Sequence, residues 1–165
     1  MKQLTIALSL CFFILTPAFA RSGYPRQKIT LSGNILPSAP KEMSIQDLEK
    51  FKTPISITIY DPYDKNKNNT FFGFYLSDFV KAYGTSDFKS LRVGAIDGYK
   101  VDIPKEEITK GNLFYSYKDK EGYLTVDRMG PGRIIAPVTG IVNKDLLLKI
   151  GVYWVWQVKT VEFIK

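Results

Sequence analysis

No histidine occurs anywhere in the 165 residues, and the single cysteine, Cys11, sits inside an apolar leader. These two absences restrict the chemistry more than any motif that is present. Beyond residue 20 there is neither thiol nor imidazole. Cys/His zinc sites, Ser-His-Asp triads, Cys-His dyads, His-ligated haem and thiolate-ligated metals are therefore excluded for this chain alone. Any general acid or base must be Asp, Glu, Lys or Tyr. An intrachain disulfide is excluded too, so packing has to hold the fold even in an oxidising compartment. The longest apolar run, Leu4 to Leu15, falls short of the ~20 residues that span a bilayer. Internal repeats and low-complexity tracts are lacking as well.

The leader itself is informative. Lys2, the apolar run, the helix-breaking Pro17 and the small-residue pattern Ala18-Phe19-Ala20 read as a secretory signal over residues 1–20, with cleavage expected after Ala20. Leu10 stands before Cys11 where a lipoprotein signal needs a small residue, which argues against a lipid anchor. Arg21 to Gln27 reads as a flexible lead-in, and residues 28–165 as a single domain. A chain of that size buries roughly two thirds of its surface. The expected location is the periplasm, with no transmembrane segment after cleavage. The formal net charge is +7, but the basic residues are interleaved with acidic ones, as in Lys105-Glu106-Glu107 and Lys118-Asp119-Lys120-Glu121. That pattern describes a solvated mixed surface, and no nucleic-acid partner is expected.

Along the domain, Ile29 and Leu31 alternate with polar neighbours in a first strand. Ser44 with Asp47 reads as a capping box for a helix over Ile45 to Phe51. In ISITIY, Ile55, Ile57 and Ile59 face one way, which predicts a half-buried strand over Ile55 to Tyr60. Ser77 is placed to cap a helix over Asp78 to Tyr83 that Gly84 ends. Asp97-Gly98 marks a hairpin between strands Leu91–Ile96 and Tyr99–Ile103. Pro104 opens an acidic helical turn that Gly111 closes. A second hairpin joins Leu113–Tyr117 to Tyr123–Val126. Asn143 is placed to cap a helix over Lys144 to Ile150, and a last strand falls within Val155 to Ile164. Many short strands and a few short helices predict an α+β domain, mostly β.

Four stretches invite chemistry. VDRMGPGRIIAP, Val126 to Pro137, lacks the GK[ST] ending of a P-loop, and Pro131 removes an amide that would cradle phosphate. Arg128 and Arg133 nevertheless present planar forks of donors suited to an anion. Spacing alone favours a structural turn. Asp64, Asn66 and Asn68 resemble the start of an EF-hand loop, without its central glycine and closing glutamate. Asp61 and Asp97 stand at strand ends, where two carboxylates can share a cleft. Eleven Phe, ten Tyr and two Trp suit either a binding platform or the core of a disulfide-free domain, and for Trp154 and Trp156 the core is the favoured reading.

Read in order, ITLSGNI, SIQDLEKF, TFFGFYLSDFVKAYG, AIDGYKVDIPKEEI, VDRMGPGRIIAP and YWVWQVKTVEFI resemble the molybdopterin-binding domain of the sulfite oxidase fold, in its small secreted single-domain form. The resemblance covers nearly all of residues 28 to 164. It implies a molybdenum-binding cysteine on the strand corresponding to Ile55 to Tyr60, and this chain has none. It also implies a Gly-x-Pro-x-Arg segment whose arginine contacts the pterin phosphate. Pro131, Arg133, Ile134, Ile135 and Pro137 match that segment in register, so the anion role carries over to Arg133. The family's upstream histidine falls near Arg128, and the lysine before the last Trp-containing strand is replaced by Val155.

The expectation is a periplasmic, non-catalytic binding or accessory module on a molybdopterin-oxidoreductase fold, taking a small anionic ligand or a periplasmic or membrane protein partner. Its candidate ligand residues are Arg133, Arg128, Asp97, Tyr99 and Asp61, and no cofactor or metal is expected. The rival expectation is a molybdopterin-dependent oxidoreductase that holds its cofactor without a cysteine ligand, with Asp61 or Tyr60 supplying oxygen ligands or proton transfer. A third is a sensory partner of a membrane signalling protein, docking through the basic surface.

Overall fold

Alternation lays down the first strand, β1 (Ile29–Gly33), with Ile29 and Leu31 buried and Thr30 and Ser32 exposed. A computed structural model describes residues 24–64, 67–137 and 144–165; the expected leader and its expected cleavage site, Asn66 and Asn143 lie outside them. A short strand, β2 (Glu42–Met43), pairs antiparallel with β1 and leads into α1 (Ile45–Phe51). The capping box at Ser44 is present: its hydroxyl accepts from the Asp47 N–H, and the Asp47 carboxylate accepts from the Ser44 N–H. The predicted ISITIY strand is β3 (Ile55–Asp61). Ile57 and Ile59 are half-buried, but Ile55 is exposed. Among the described residues the strand lies at a sheet edge and pairs only with β4 (Lys67–Tyr75), which leaves Ile55 uncovered on its outer side.

The next helix, α2 (Leu76–Tyr83), corrects the expected start. Ser77 does not cap it; Tyr75 occupies the cap position without a side-chain hydrogen bond. The strand runs straight into the helix because the Leu76 N–H donates to the Leu113 carbonyl at 2.8 Å and Leu76, Phe79 and Val80 bury one face. Packing of that face, not the serine hydroxyl, sets the first turn. Gly84 ends the helix as expected.

The Asp97-Gly98 hairpin joins β5 (Ser90–Ala95) to β6 (Lys100–Pro104), each displaced by one residue from the expected bounds. Gly98 has φ +92°, the left-handed region that the turn requires, and the Asp97 carboxylate accepts from the Tyr99 N–H. The acidic turn is α3 (Lys105–Thr109). The second hairpin, β7 (Phe114–Asp119) and β8 (Gly122–Tyr123), is shorter on its return side than expected. Leu124 is buried and still donates its N–H to the Tyr117 carbonyl at 2.9 Å, and Val126 falls in a 3-10 turn, Val126–Arg128. Then follow β9 (Arg133–Ile135), α4 (Lys144–Gly151) and β10 (Val158–Ile164).

These strands form two sheets, in the orders β2-β1-β10-β5-β6 and β3-β4-β7-β8, with β9 added on β7. The pairing of β1 with β10 is parallel, and most others are antiparallel. Leu31, Val93 and Val161 from the first sheet share one core cluster with Phe74, Tyr115 and Ile134 from the second. The domain is α+β and mostly β, as the sequence predicts.

The Gly-Pro-Gly stretch is tied down on both sides. The Arg128 and Gly130 N–H groups both donate to the Thr125 carbonyl, at 2.9 and 2.7 Å. Gln157 donates to the Met129 carbonyl, Val158 to that of Gly132, and Ile134 and Val155 bond each other in both directions. The backbone groups of the loop are thus engaged in holding β9 against the approach to β10.

Candidate functional site

At the end of β3, the Asp61 carboxylate turns inward. One oxygen accepts from the Tyr63 N–H at 2.9 Å. The other accepts from the Asn69 amide and from Arg133 Nη2, both at 3.2 Å. Asn69 reaches this position because β3 and β4 pair around the Asp61 turn, and Arg133 because β9 pairs with β7 in the Ser116↔Arg133 register. The two charged side chains are closed off from solvent, at 0 % exposure for Asp61 and 5 % for Arg133.

The Arg133 guanidinium lies over the Phe71 ring, 4.9 Å from its centroid, and over the Trp154 ring at 5.7 Å. Burial pushes the Arg133 pKa down, and the Asp61 charge opposes that shift. An arginine side chain stays charged throughout, so the pair is a true internal ion pair. The Arg133 Nε–H, also buried, has no acceptor among the described residues.

Arg133 forms one wall of a cleft of about 500 Å³ that β4, the β7–β8 hairpin and the 3-10 turn enclose. Arg128 stands in the same cleft, with its Nη2 against the Asp119 carboxylate and 3.5 Å from Glu121. Lys67 pairs with Asp64 at 3.2 Å, and Asp64 also accepts from the Asn69 amide. Each of these three cations therefore faces a carboxylate of the protein.

Asp97 and Tyr99 lie elsewhere. They border a second pocket of about 280 Å³, walled by Tyr63, Trp154 and Trp156. The Tyr63 ring meets Trp154 at 5.2 Å and Trp156 at 5.3 Å. The Tyr99 hydroxyl donates to the Val152 carbonyl at 3.0 Å, fixing the hairpin tip to the end of α4. Trp154 is buried and donates its indole N–H to the Ala136 carbonyl, which agrees with the core reading. Trp156 is only half-buried and faces the pocket.

The five residues singled out from the sequence thus divide. Asp61 and Arg133 pair internally, Arg128 shares a cleft with Arg133, and Asp97 and Tyr99 belong to the aromatic pocket. Among the described residues Asp61 and Asp97 share no hydrogen bond, and only Asp97 borders the aromatic pocket. Sequence reasoning did not single out Asn69 or Tyr63. Asn69 became visible only through strand register, whereas Tyr63, two residues past the inward-turned Asp61, follows from the Asx-type turn at Asp61-Pro62. Among the described residues no group of three or more acidic, Cys or His side chains is placed to hold a metal ion.

With sheets and site in place, the class of architecture is defined: this is a sulfite oxidase-like fold. Fifteen chains of solved structures match it. One is the crystal structure of the sulfane dehydrogenase SoxCD from Paracoccus pantotrophus, which superposes with a TM-score of 0.61 at 14 % sequence identity over 84 % of this chain. The match spans 38 % of the SoxCD chain, so the present chain corresponds to a part of that protein. At that identity the likeness is one of fold. No family model and no curated protein matches the sequence.

Proposed function

We propose that this chain is an exported, non-catalytic binding module on a sulfite oxidase-like fold, working without molybdenum chemistry. One observation carries the reading: Arg133, the position matched by resemblance to the pterin-phosphate arginine, already holds a carboxylate of its own chain. A buried guanidinium so paired has little to offer a phosphate, because an incoming anion would have to compete with the Asp61 carboxylate for Nη2 in a space that is 5 % exposed. Arg128 is likewise matched to Asp119 and Glu121.

The residues present do not fit molybdopterin. No thiolate follows the leader, Asp61 is wholly buried behind three donors, and neither cleft arginine lacks a carboxylate. The same facts weigh against the oxidoreductase alternative, which needs Asp61 open to a metal, and against a simple anion as the ligand of this cleft. Incubation with free molybdopterin followed by gel filtration is expected to return the chain without stoichiometric pterin. Equimolar co-elution, lost in Arg133→Met, overturns the reading.

A further inference from the structure

We propose that the aromatic pocket beside the Asp97 turn binds a small organic cation of the quaternary ammonium class. Four aromatic side chains, Tyr63, Tyr99, Trp154 and Trp156, converge on one space of about 280 Å³. The negative faces of such rings attract an alkylated ammonium, and indole does so best. The volume lies just below the roughly 300–1,000 Å³ typical of drug-sized ligands, which suits a compact cation.

Charge supports the same occupant. Asp97 stands at the rim, its carboxylate accepting one backbone N–H and forming no ion pair among the described residues. Arg133 lies over the Trp154 ring and on its own would repel a second cation, but Asp61 offsets that charge at 3.2 Å. The rings are also held in advance. Tyr99 is fixed through Val152, and Tyr63 through its backbone N–H on Asp61 and its packing on both indoles. Pre-positioned walls reduce the ordering that binding would otherwise require. Gly151 keeps the space open, since a Cβ there would come within 2.6 Å of the Tyr63 hydroxyl. The Trp156 indole N–H is buried without an acceptor among the described residues, on a side chain that borders the pocket.

The proposal rests on the binding-module reading and deepens it, but it has its own readout. Choline is titrated into the full chain and compared with 3,3-dimethylbutan-1-ol, a neutral molecule of the same shape. The shift of the Trp156 indole N–H resonance, assigned with Trp156→Phe, reports occupancy. Saturable binding of choline is expected, about ten-fold tighter than that of the alcohol. Asp97→Asn, which keeps the turn acceptor at an exposed position, is expected to weaken choline about five-fold. Equal affinity for the two molecules, no saturation of choline below roughly 50 mM, or an unchanged affinity in Asp97→Asn would each overturn the proposal. Failure here leaves the gel-filtration result with molybdopterin untouched, so the two readings fail separately.

Discussion

Asp61→Ala is expected to lower the free energy of unfolding by about 3–5 kcal/mol at neutral pH, the usual penalty for removing one partner of a buried pair. The loss has two sources. Arg133 keeps its charge at 5 % exposure, against the Phe71 and Trp154 rings. The Tyr63 N–H and the Asn69 amide lose their acceptor as well. Arg133→Met should cost less, because Asp61 keeps its two remaining donors, the Tyr63 N–H and the Asn69 amide. Combining Asp61→Leu with Arg133→Met should recover most of the loss, since the non-additivity of the pair measures their interaction. Urea denaturation midpoints at constant m-value read all three. A loss under about 1 kcal/mol for Asp61→Ala would mean that the pair is open to solvent. Inorganic phosphate adds a second arm: it should raise the midpoint of Asp61→Ala and leave the wild type nearly unchanged, because only the variant offers Arg133 to an outside anion.

Gly130→Ala is the second large effect, at about 3 kcal/mol or more. A Cβ at Gly130 would lie 2.2 Å from the Leu124 carbonyl oxygen and 2.4 Å from its carbon, which are backbone atoms that cannot turn aside. The same segment is clamped by the Gly130 N–H on Thr125 and by the Gln157 N–H on the Met129 carbonyl. To relieve the clash the chain has to shift between the 3-10 turn and β9, which carries Arg133 off Asp61. The loss should therefore be accompanied by a change in Trp154 fluorescence, as the guanidinium leaves its ring. Stability within about 1 kcal/mol of wild type, with unchanged fluorescence, would show that the loop is free to adjust.

The parts of the fold set by local chemistry were legible in the sequence. The Ser44–Asp47 box, the Asp97-Gly98 turn and the alternation in Ile29 and Leu31 each act over a few residues, and each is found where periodicity and capping place it. What lay beyond reach depends on tertiary context. The start of α2 is fixed by Leu76 on the Leu113 carbonyl, and the exposure of Ile55 by an edge position in the sheet.

The candidate site shows the same division. Arg133 was identifiable as a charged group in an apolar segment. Its partner was not, because Asp61 is 72 residues away and reaches it only through the pairing of β3 with β4, β4 with β7 and β7 with β9. Seen alone, Arg133 and Arg128 suggest a clamp for an anion; the fold supplies each with a carboxylate. Trp154 and Trp156 both border the aromatic pocket, yet Trp154 is buried in the core and Trp156 only half-buried, a distinction that composition does not make.

Native mass spectrometry joined to metal analysis, on the chain purified from its own source, tests the central claim most directly. The expected mass is that of the polypeptide, or of the polypeptide with a small organic ligand, without stoichiometric molybdenum or pterin. One molybdenum and one pterin per chain, retained through purification, would contradict it.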